Sequence, residues 1–250
     1  MKAMIFAAGL GTRLRPLTDT MPKALVPVGG VPMLDRVILK LKDAGIKDFV
    51  INTHHFSDQI VNHLEEKDNF GCRIDLSIEQ DHPFETGGGI KAARRFLENE
   101  DTFLVHNVDI LSNLDISSFC SHNLPDGSLA LLLVSSRESS RYLLFDEEMK
   151  LKGWMNSKTG EIKSPFKNLD PNTCTRKAFS GIHLISNKVF PLMENEPEVF
   201  SIIDFYLKNA AQYSIYGIEV QKLKLIDIGK PETLSVAEGI VDCHEKTVTL

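Results

Sequence analysis

The sequence has few of the residues that build disulfide frameworks, zinc sites or membrane spans. Its four cysteines lie far apart and form no CxxC pair, which argues against a zinc site or a disulfide framework and favours reduced thiols. No apolar run approaches the roughly 20 residues that a membrane helix needs, and the apolar stretch at residues 3–8 is too short for a signal peptide. We therefore expect a cytoplasmic protein with no membrane partner.

Positive charge is scarce overall but is concentrated at the N-terminus. The 250 residues include 28 basic and 34 acidic residues, a net charge of −6, whereas residues 1–23 carry a local charge of +3. The charged residues of that segment are Lys2, Arg13, Arg15, Lys23 and Asp19. An acidic chain is a poor general partner for nucleic acid, but a basic segment can hold a small polyanion at one site.

The first half of the chain alternates short apolar runs with amphipathic helical patterns. The predicted strands are residues 4–8, 49–51, 73–78, 102–105 and 129–134. Helices are predicted after Pro32, after residue 57 and from Gly87 to Leu97, where three glycines open the helix. Strands that alternate with helices in this way are typical of an α/β fold with a doubly wound, mostly parallel (Rossmann-like) sheet.

The second half is less regular and predicts an inserted antiparallel β region. Residues 142–145 and 149–153 read as short strands around an acidic turn, and the polar residues 156–175 read as an exposed loop. Further strands are predicted at residues 178–185, 214–220 and 223–228. No linker separates the halves, so we expect a single domain spanning residues 1–250.

A glycine-rich and arginine-rich segment, residues 9–18, follows the first strand; we call it the glycine-arginine loop. Gly9 and Gly11 let the backbone turn and expose N–H groups to an anion, Thr12 adds a hydroxyl, and Arg13 adds a planar fork for phosphate oxygens. Lys23 follows between prolines. The segment lacks the Gly-Lys-Ser/Thr of a P-loop and the third glycine of a dinucleotide site. A structural turn with a solvated arginine is the alternative.

The whole string from residue 9 to residue 18, followed by Pro22-Lys23-Ala-Leu-Val-Pro-Val28, resembles the N-terminal signature of sugar-1-phosphate nucleotidyltransferases, the nucleotide-sugar pyrophosphorylases. The resemblance implies that the loop binds a nucleoside triphosphate, with Arg13 on the β- and γ-phosphates and Lys23 on the α-phosphate. The nucleotide contacts implied in this segment are Ala8, Gly9, Gly11, Thr12, Arg13 and Lys23. It also implies a nucleotide-binding half at about 1–135 and a sugar-binding half at about 136–250.

Two aspartates match the metal ligands of the same family. Asp109 ends a predicted buried strand in Val105-His-Asn-Val-Asp109, where relatives usually carry Asn-Gly-Asp. Asp227 lies in Ile-Asp-Ile-Gly229, which resembles the family's Trp-x-Asp-x-Gly. Carboxylates from distant strands can hold one Mg²⁺ between two phosphates. A strand-end aspartate that caps a turn is the alternative for either residue alone.

The base and sugar contacts are implied by two further segments. The block Glu79–Ile90, with Glu-Thr-Gly-Gly-Gly, resembles N-acetylmuramate 1-phosphate uridylyltransferases; it puts Glu79 and Thr86 near the base and Glu85 near the nucleoside or sugar. Three glycines that open a helix allow a ligand to approach its N-terminus closely; the alternative is that they form only a flexible helix start. The segment Phe179–Ile182 resembles the sugar-contacting strand. The implied sugar contacts are Glu85, Asn107, Ser180 and Gly181.

Other features depart from the family or have no assigned role in it. The usual Glu-Lys-Pro is absent from residues 153–156, and the usual Tyr-Gly is Tyr142-Leu143, which leaves the sugar open. We expect the histidine pair His54-His55 to pack or to form hydrogen bonds rather than to bind a metal ion, because no third ligand has suitable spacing. The single tryptophan, Trp154, either lines the sugar site or packs.

The predicted activity is condensation of a nucleoside triphosphate with a sugar 1-phosphate, with Mg²⁺, to give a nucleotide-sugar and pyrophosphate. UTP and N-acetylmuramate 1-phosphate are favoured, which points to cell-wall nucleotide-sugar biosynthesis. Mannose 1-phosphate with GTP, or glucose 1-phosphate with UTP or dTTP, are alternatives. A regulatory paralogue that binds without turnover and a nicotinamide-dependent oxidoreductase are rival classes. No pattern specifies an oligomeric state.

Overall fold

A computed structural model describes the backbone of residues 1–245 and the side chains of residues 1–239. The chain forms two compact units. The first, which we call the loop unit, contains Lys2–Pro83, His106–Phe119 and the chain from Lys224 onward. The second, the β unit, contains Met1, Phe84–Val105 and Cys120–Leu223. The chain therefore passes between the units several times, and each unit is assembled from segments that are distant in sequence.

The described residues contain fourteen strands and eight α-helices. In chain order the strands are β1 (Ala3–Phe6), β2 (Pro27–Val28), β3 (Val31–Pro32), β4 (Asp48–Thr53), β5 (Arg73–Ile78), β6 (Thr102–Asn107), β7 (Ile110–Ser112), β8 (Ala130–Ser135), β9 (Arg141–Phe145), β10 (Leu151–Asn156), β11 (Ile162–Lys163), β12 (Thr175–Ser186), β13 (Ile215–Glu219) and β14 (Leu225–Asp227). The helices are α1 (Met33–Asp43), α2 (Ser57–Glu66), α3 (Glu85–Ala92), α4 (Arg94–Leu97), α5 (Ile116–Cys120), α6 (Val189–Met193), α7 (Ile202–Asn209) and α8 (Pro231–Glu245).

Three parallel strands form the centre of the loop unit. β4 pairs in parallel with β1, from Ala3↔Phe49 onward, and with β5 over its full length. β1 and β4 are buried almost throughout, which explains their continuous apolar sequences, since both faces of a parallel sheet are covered. The apolar face of α1 is buried as its spacing predicts. Because the strands are parallel, the residues that follow them meet at one edge of the sheet.

Antiparallel pairing dominates the β unit. β12 pairs with β8 and with β9, and β10 pairs with β9 and β11, all antiparallel, while β13 pairs with β8 in parallel. The hairpin from β9 to β10 encloses the predicted acidic turn. Parallel strands flanked by helices together with this antiparallel region confirm the predicted fold class.

Two details of the predicted elements are wrong. The helix expected from Gly87 begins two residues earlier, at Glu85, and is divided into α3 and α4 at Ala93. The loop expected over residues 156–175 contains the short strand β11, which pairs with β10. The strand β11 forms by hairpin pairing with β10, a contact that the polar sequence does not indicate, and the α3 segment packs against residues 198–200.

The cysteines whose side chains the structure describes are free thiols. Cys72, Cys120 and Cys174 are free, and the fourth cysteine, Cys243, has its side chain outside the described part of the chain. Burial raises the pKa of the Cys120 thiol to about 11, which keeps it protonated and unreactive. Among the described helices, none combines the length and the hydropathy that crossing a membrane requires.

Candidate functional site

The glycine-arginine loop in the loop unit turns at Gly11. Gly11 has a φ of 62°, and its carbonyl accepts hydrogen bonds from the Leu14 N–H (2.8 Å) and the Thr18 hydroxyl (2.9 Å). A Cβ at this position would lie 2.8 Å from Thr18 Cγ2 and 3.0 Å from Lys23 Cβ. Glycine is therefore required both by the left-handed backbone and by the close approach of Lys23.

The backbone of this loop offers hydrogen-bond donors. Among the described residues, the N–H groups of residues 9–13 donate to no other residue, and Gly9, Leu10, Thr12 and Arg13 are exposed. Successive N–H groups in a tight turn form a concave anion-binding surface. Arg15, in contrast, forms an ion pair with Asp19 on the surface.

Lys23 and Asp109 form an ion pair. Lys23 lies in a 3-10 turn with only 8% of its surface exposed, and its Nζ donates to Oδ2 of Asp109. The Val108 N–H donates to the Phe6 carbonyl (3.1 Å), which fixes the Asp109 segment beside β1. An ammonium group has three donors, so one bond to Asp109 leaves two for phosphate oxygens.

The second predicted metal ligand, Asp227, lies on the strand next to Asp109. β14 pairs with β7 in antiparallel register, Asp227↔Ile110, and the Ile228 N–H donates to the Asp109 carbonyl at 2.8 Å. This pairing places the backbones of the two aspartates side by side although they lie far apart in the sequence.

Gly229 lies where Arg13 and Asp227 converge. A Cβ on Gly229 would be 2.8 Å from Arg13 Nη2, 3.2 Å from Arg13 Cζ and 2.9 Å from Asp227 Oδ1. Gly229 itself is buried. The absence of a side chain therefore lets the guanidinium of Arg13 and the carboxylate of Asp227 approach the same point on the backbone.

The chemistry of the two aspartates fits a divalent cation completed by substrate. Within the described residues, no group of three or more His, Cys, Asp or Glu side chains is placed to hold a metal ion. Mg²⁺ is commonly bound through one or two carboxylates plus substrate phosphates and water, so Asp109 and Asp227 would suffice beside a triphosphate.

Glu79, the predicted base contact, belongs to a buried hydrogen-bond network that no sequence motif indicates. Glu79 follows β5 and is 1% exposed; its Oε1 accepts from Asn52 Nδ2 at 2.7 Å. Asn52 Oδ1 in turn accepts from the Ala7 N–H at 3.0 Å. His54 Nδ1 donates to the Glu79 carbonyl at 2.8 Å, which confirms the hydrogen-bonding role expected for the histidine pair, and the His55 ring packs on Phe56.

In the β unit, residues 198–200 fill the space beside the triple-glycine segment. The N–H groups of Gly87 and Gly88 both donate to the Phe200 carbonyl, at 2.9 and 3.2 Å. A Cβ on Gly88 would overlap the Glu198 carbonyl, and a Cβ on Gly87 would overlap Phe200. These glycines permit close packing against residues 198–200, which corrects the interpretation that they make room for a ligand.

Glu85 and Thr86 lie at the start of the same helix. Glu85 has a φ of 59°, a left-handed conformation that is uncommon for glutamate. Thr86 Oγ1 accepts from the Ile202 N–H at 3.0 Å and so caps the first turn of α7. This contact gives Thr86 a structural role, and its proposed base contact stays a prediction.

The predicted sugar-contacting strand contains a β-bulge. The register between β12 and β8 shifts between Phe179 and His183, and Gly181, inside the bulge, has a φ of 72°. Ser180 is fully buried, with its Oγ 3.5 Å from Ser135 Oγ. Bulges re-aim side chains and are frequent next to active sites. Ser180 and Gly181 lie in the β unit, as Glu85 and Thr86 do, and their sugar contacts stay predictions.

Two cations flank this bulge, and neither belongs to a motif in the sequence. Arg137 Nη2 donates to the Phe179 carbonyl at 3.1 Å, and within the described residues no carboxylate lies within 4.0 Å of its guanidinium. Lys177 donates to Glu219 (2.6 Å) and to Ser136 (2.7 Å), so its charge is neutralised by Glu219. These bonds lower the pKa of Glu219, with the bond to Lys177 as the main cause.

Asn107 and Trp154 have defined surroundings. Asn107 ends β6 in the loop unit, two residues before Asp109, and its carbonyl accepts from His106 Nδ1 at 2.8 Å. Burial lowers the pKa of His106 to about 4. The Trp154 ring packs in the β unit with Lys163 Nζ 5.3 Å from the ring centroid. The packing interpretation of Trp154 has this support.

A family model and several proteins of known activity are similar to this chain in sequence. The family model for nucleotidyl transferases matches residues 2–147. An N-acetylmuramate alpha-1-phosphate uridylyltransferase of Caulobacter vibrioides is 29% identical over 248 residues, 95% of each chain. An enzyme of the same name from Neisseria meningitidis is 42% identical over 118 residues, which cover 47% of this chain and 51% of that one. A mannose-1-phosphate guanyltransferase of Yarrowia lipolytica is 27% identical and covers 93% of this chain and 61% of its own length.

Solved structures agree on the fold. HddC from Yersinia pseudotuberculosis, complexed with GMP-PN, has a TM-score of 0.75 at 24% identity and covers 96% of this chain and 99% of its own. The inositol-1-phosphate CTP transferase from T. maritima has a TM-score of 0.73 at 16% identity and covers 95% and 93%. The chain therefore belongs to the nucleotidyl transferase family, which confirms its recognition as a member of the sugar-1-phosphate nucleotidyltransferases.

Proposed function

We propose that the chain transfers the uridylyl group of UTP to N-acetylmuramate 1-phosphate, giving the nucleotide-sugar and pyrophosphate. The observation that carries the proposal is the convergence of Arg13, Lys23, Asp109 and Asp227 around Gly11 and Gly229. Two relatives with this printed activity support the choice of substrates, and one of them is similar over nearly the whole chain. A role in nucleotide-sugar biosynthesis follows from this reaction.

The chemistry requires positioning and charge neutralisation. A phosphate oxygen of the sugar 1-phosphate attacks the α-phosphorus of the triphosphate, and a new P–O bond forms. The bond from the α-phosphorus to the bridging oxygen of the β-phosphate breaks, and pyrophosphate leaves with that electron pair. No covalent intermediate with the enzyme is needed, because the two phosphates react directly in line.

Arg13, Lys23 and the backbone N–H groups of the glycine-arginine loop are assigned to the triphosphate. The N–H groups of Gly9, Gly11 and Thr12 suit the non-bridging oxygens, and Arg13, with its planar fork, suits the β- and γ-phosphates that depart. Lys23 would stabilise the negative charge that builds on the α-phosphate during attack. Its bond to Asp109 holds the ammonium group in place before the nucleotide binds.

Asp109 and Asp227 are assigned to Mg²⁺. When bound, the cation would neutralise phosphate charge and orient the triphosphate. The Asp227↔Ile110 pairing and the bond from the Ile228 N–H to the Asp109 carbonyl hold the backbone of both aspartates, which supports this assignment. An all-oxygen donor set is compatible with Mg²⁺.

We assign the sugar mainly to the sugar-binding half at about 136–250 of a single domain whose nucleotide-binding half is about 1–135. Its proposed contacts are Ser180 and Gly181 from the sugar-binding half, with Glu85 and Asn107 from the nucleotide-binding half. N-acetylmuramate 1-phosphate differs from most sugar 1-phosphates in having a carboxylate as well as a phosphate. Arg137, bonded to the Phe179 carbonyl but to no carboxylate among the described residues, is suited to pair with that group.

A panel of substrates tests the proposal. Pyrophosphate release is measured with Mg²⁺ for UTP, GTP and dTTP, each combined with the 1-phosphates of N-acetylmuramate, N-acetylglucosamine, mannose and glucose. The proposal predicts the highest kcat/KM for UTP with N-acetylmuramate 1-phosphate. A preference for GTP with mannose 1-phosphate would favour the activity of the guanyltransferase relatives. Nucleotide-sugar binding without pyrophosphate release for any pair would favour a regulatory protein.

A substitution at Arg137 tests the sugar assignment separately. Arg137→Gln should lower kcat/KM for N-acetylmuramate 1-phosphate about tenfold or more, while that for N-acetylglucosamine 1-phosphate, which lacks the carboxylate, changes little. Arg176→Gln is the matched control, because Arg176 is likewise an exposed arginine of the β unit, but its Nη2 donates to Asn172 Oδ1 on the surface. Equal losses with both sugars would contradict the assignment of Arg137.

A further inference from the structure

One buried side chain connects the ends of three parallel strands in the loop unit. Asn52, on β4, is 1% exposed. Its Oδ1 accepts from the N–H of Ala7, which follows β1, and its Nδ2 donates to Oε1 of Glu79, which follows β5. Both ends of the amide are thereby used, and the three strand ends form one hydrogen-bonded unit.

The bond to Ala7 determines where the glycine-arginine loop begins. The Ala7 N–H lies 3.1 Å from the Asn52 carbonyl and 3.0 Å from Asn52 Oδ1, so one residue holds it through both backbone and side chain. Ala7 and Ala8 are buried, whereas Gly9 is exposed. The last fixed peptide before the loop is thus the one that Asn52 holds.

The bond to Glu79 fixes the orientation of a buried carboxyl group. The Glu79 N–H donates to the Thr53 carbonyl at 2.8 Å, and His54 holds the Glu79 carbonyl, so the backbone at this position is set independently of the side chain. The 2.7 Å bond from Asn52 Nδ2 to Oε1 restricts the orientation of the Glu79 carboxyl group.

We propose that Asn52 is a positioning residue for the nucleotide: its amide couples the carboxyl group at the end of β5 to the peptide from which the glycine-arginine loop starts. The inference rests on the proposed function in that the loop holds the triphosphate and Glu79 faces the base. A change in the hydrogen bonding of Glu79 would then reach the phosphate-binding loop through Asn52.

Three variants separate this role from simple packing. Asn52→Asp keeps an acceptor for Ala7 but replaces the donor to Glu79 with a second carboxyl oxygen, so two buried acceptors face each other. Glu79→Gln keeps the bond, because the Gln carbonyl still accepts from Asn52. The double variant, Asn52→Asp with Glu79→Gln, restores the bond with its direction reversed, since the new amide at position 79 donates to the new carboxylate at position 52. Asn209→Asp, which removes the donor to the Phe205 carbonyl in the β unit, is the matched control.

The readouts are the KM values for both substrates and hydrogen exchange of the backbone over residues 4–14. Asn52→Asp should raise the KM for the nucleoside triphosphate about tenfold or more, with less than about a twofold change in the KM for the sugar 1-phosphate, and it should speed exchange in the loop. The double variant should return both the exchange rate and the nucleotide KM to the values of Glu79→Gln. Asn209→Asp should change neither KM.

The outcomes distinguish the inference from the proposed function. If the double variant exchanges as fast as Asn52→Asp, or if Asn52→Asp leaves loop exchange unchanged, Asn52 does not position the loop. If Asn52→Asp raises both KM values equally, its effect is general damage, which also overturns the inference. If the wild-type chain releases no pyrophosphate with any substrate pair, the proposed function fails, and exchange over residues 4–14 still decides whether Asn52 couples Glu79 to the loop.

Discussion

Substitution of Gly229 by alanine should reduce activity far more than stability. The new Cβ would lie 2.8 Å from Arg13 Nη2 and 2.9 Å from Asp227 Oδ1, whereas carbon contacts are optimal at about 3.5 Å or more, so both groups must retreat by roughly 0.7 Å. Both belong to the ends of flexible side chains. The φ of Gly229 is not among the positive values, so alanine is compatible with its backbone.

The magnitude follows from these displacements. A misplacement of about 1 Å in a catalytic group can reduce the rate about 100-fold, so we expect a loss of about 10- to 100-fold in kcat/KM, or about 1.4 to 2.7 kcal/mol in the barrier. Because the clash can relax into solvent, the free energy of unfolding should change by less than about 1 kcal/mol. Pyrophosphate release and urea denaturation measure the two quantities.

A glycine with open space around it provides the control. Gly239, on α8, has no atom within 4 Å of its Cβ position, so Gly239→Ala should keep full activity and, as a helical substitution, should stabilise by up to about 1 kcal/mol. If Gly229→Ala retains full activity, or if its stability falls in parallel with its activity, then Gly229 does not act by admitting Arg13 and Asp227.

Three further predictions concern the metal, the glycine packing and pH. Asp109→Asn should abolish turnover while circular dichroism and Tm show a retained fold; near-normal pyrophosphate release would contradict the metal assignment. Gly88→Ala should lower the free energy of unfolding by about 1–3 kcal/mol in urea, because its Cβ meets the rigid Glu198 carbonyl; a neutral effect would refute the packing role. Burial lowers the pKa of His183 to about 3 and of His106 to about 4. Between these values and about pH 6.5, each histidine is protonated in the unfolded chain but neutral in the folded chain. Stability should therefore be retained above about pH 6.5 and fall on acidification by up to about 1.4 kcal/mol per pH unit for each histidine; urea midpoints that stay constant from about pH 7 to about pH 4.5 would contradict this.

The strands β1 and β4 of the loop unit can be predicted from the sequence because burial on both faces demands continuous apolar runs. The alternation of residues predicts β5 with its observed bounds, Arg73–Ile78, and helical spacing predicts α1 with its buried face. Both patterns are local, since each side chain reports directly on whether its own position faces water.

The glycines depend on contacts that no local pattern contains. The sequence indicates ligand approach at Gly87 and Gly88, but the atoms against them belong to residues 198–200. Gly11 turns the loop as predicted, yet its closeness to Lys23 depends on how the following residues fold back. The sequence shows only that a side chain is absent at each glycine. Which atoms pack against that position is determined by the fold.

Asn52 illustrates the same limit at the candidate site. Its sequence neighbourhood, the end of an apolar strand followed by two histidines, matches no motif. The amide acquires a role only because parallel pairing aligns the ends of β1, β4 and β5, so that Ala7 and Glu79 lie on either side of it.

The chemistry of the site is written in short stretches of sequence: a glycine-arginine loop suited to phosphates, Lys23 between prolines, and two aspartates suited to a hard cation. The loop and Lys23 are recognisable from side-chain type and close spacing, and each aspartate from its resemblance to a short family segment, so none of them requires knowledge of the fold. Which of the groups meet is a property of the folded chain. Asp109 meets Lys23 because the Val108 N–H bonds to the Phe6 carbonyl and holds the Asp109 segment beside β1. Asp227 lies beside the Asp109 segment because β14 pairs with β7 through backbone hydrogen bonds between segments far apart in the sequence, and such pairing depends on the whole fold.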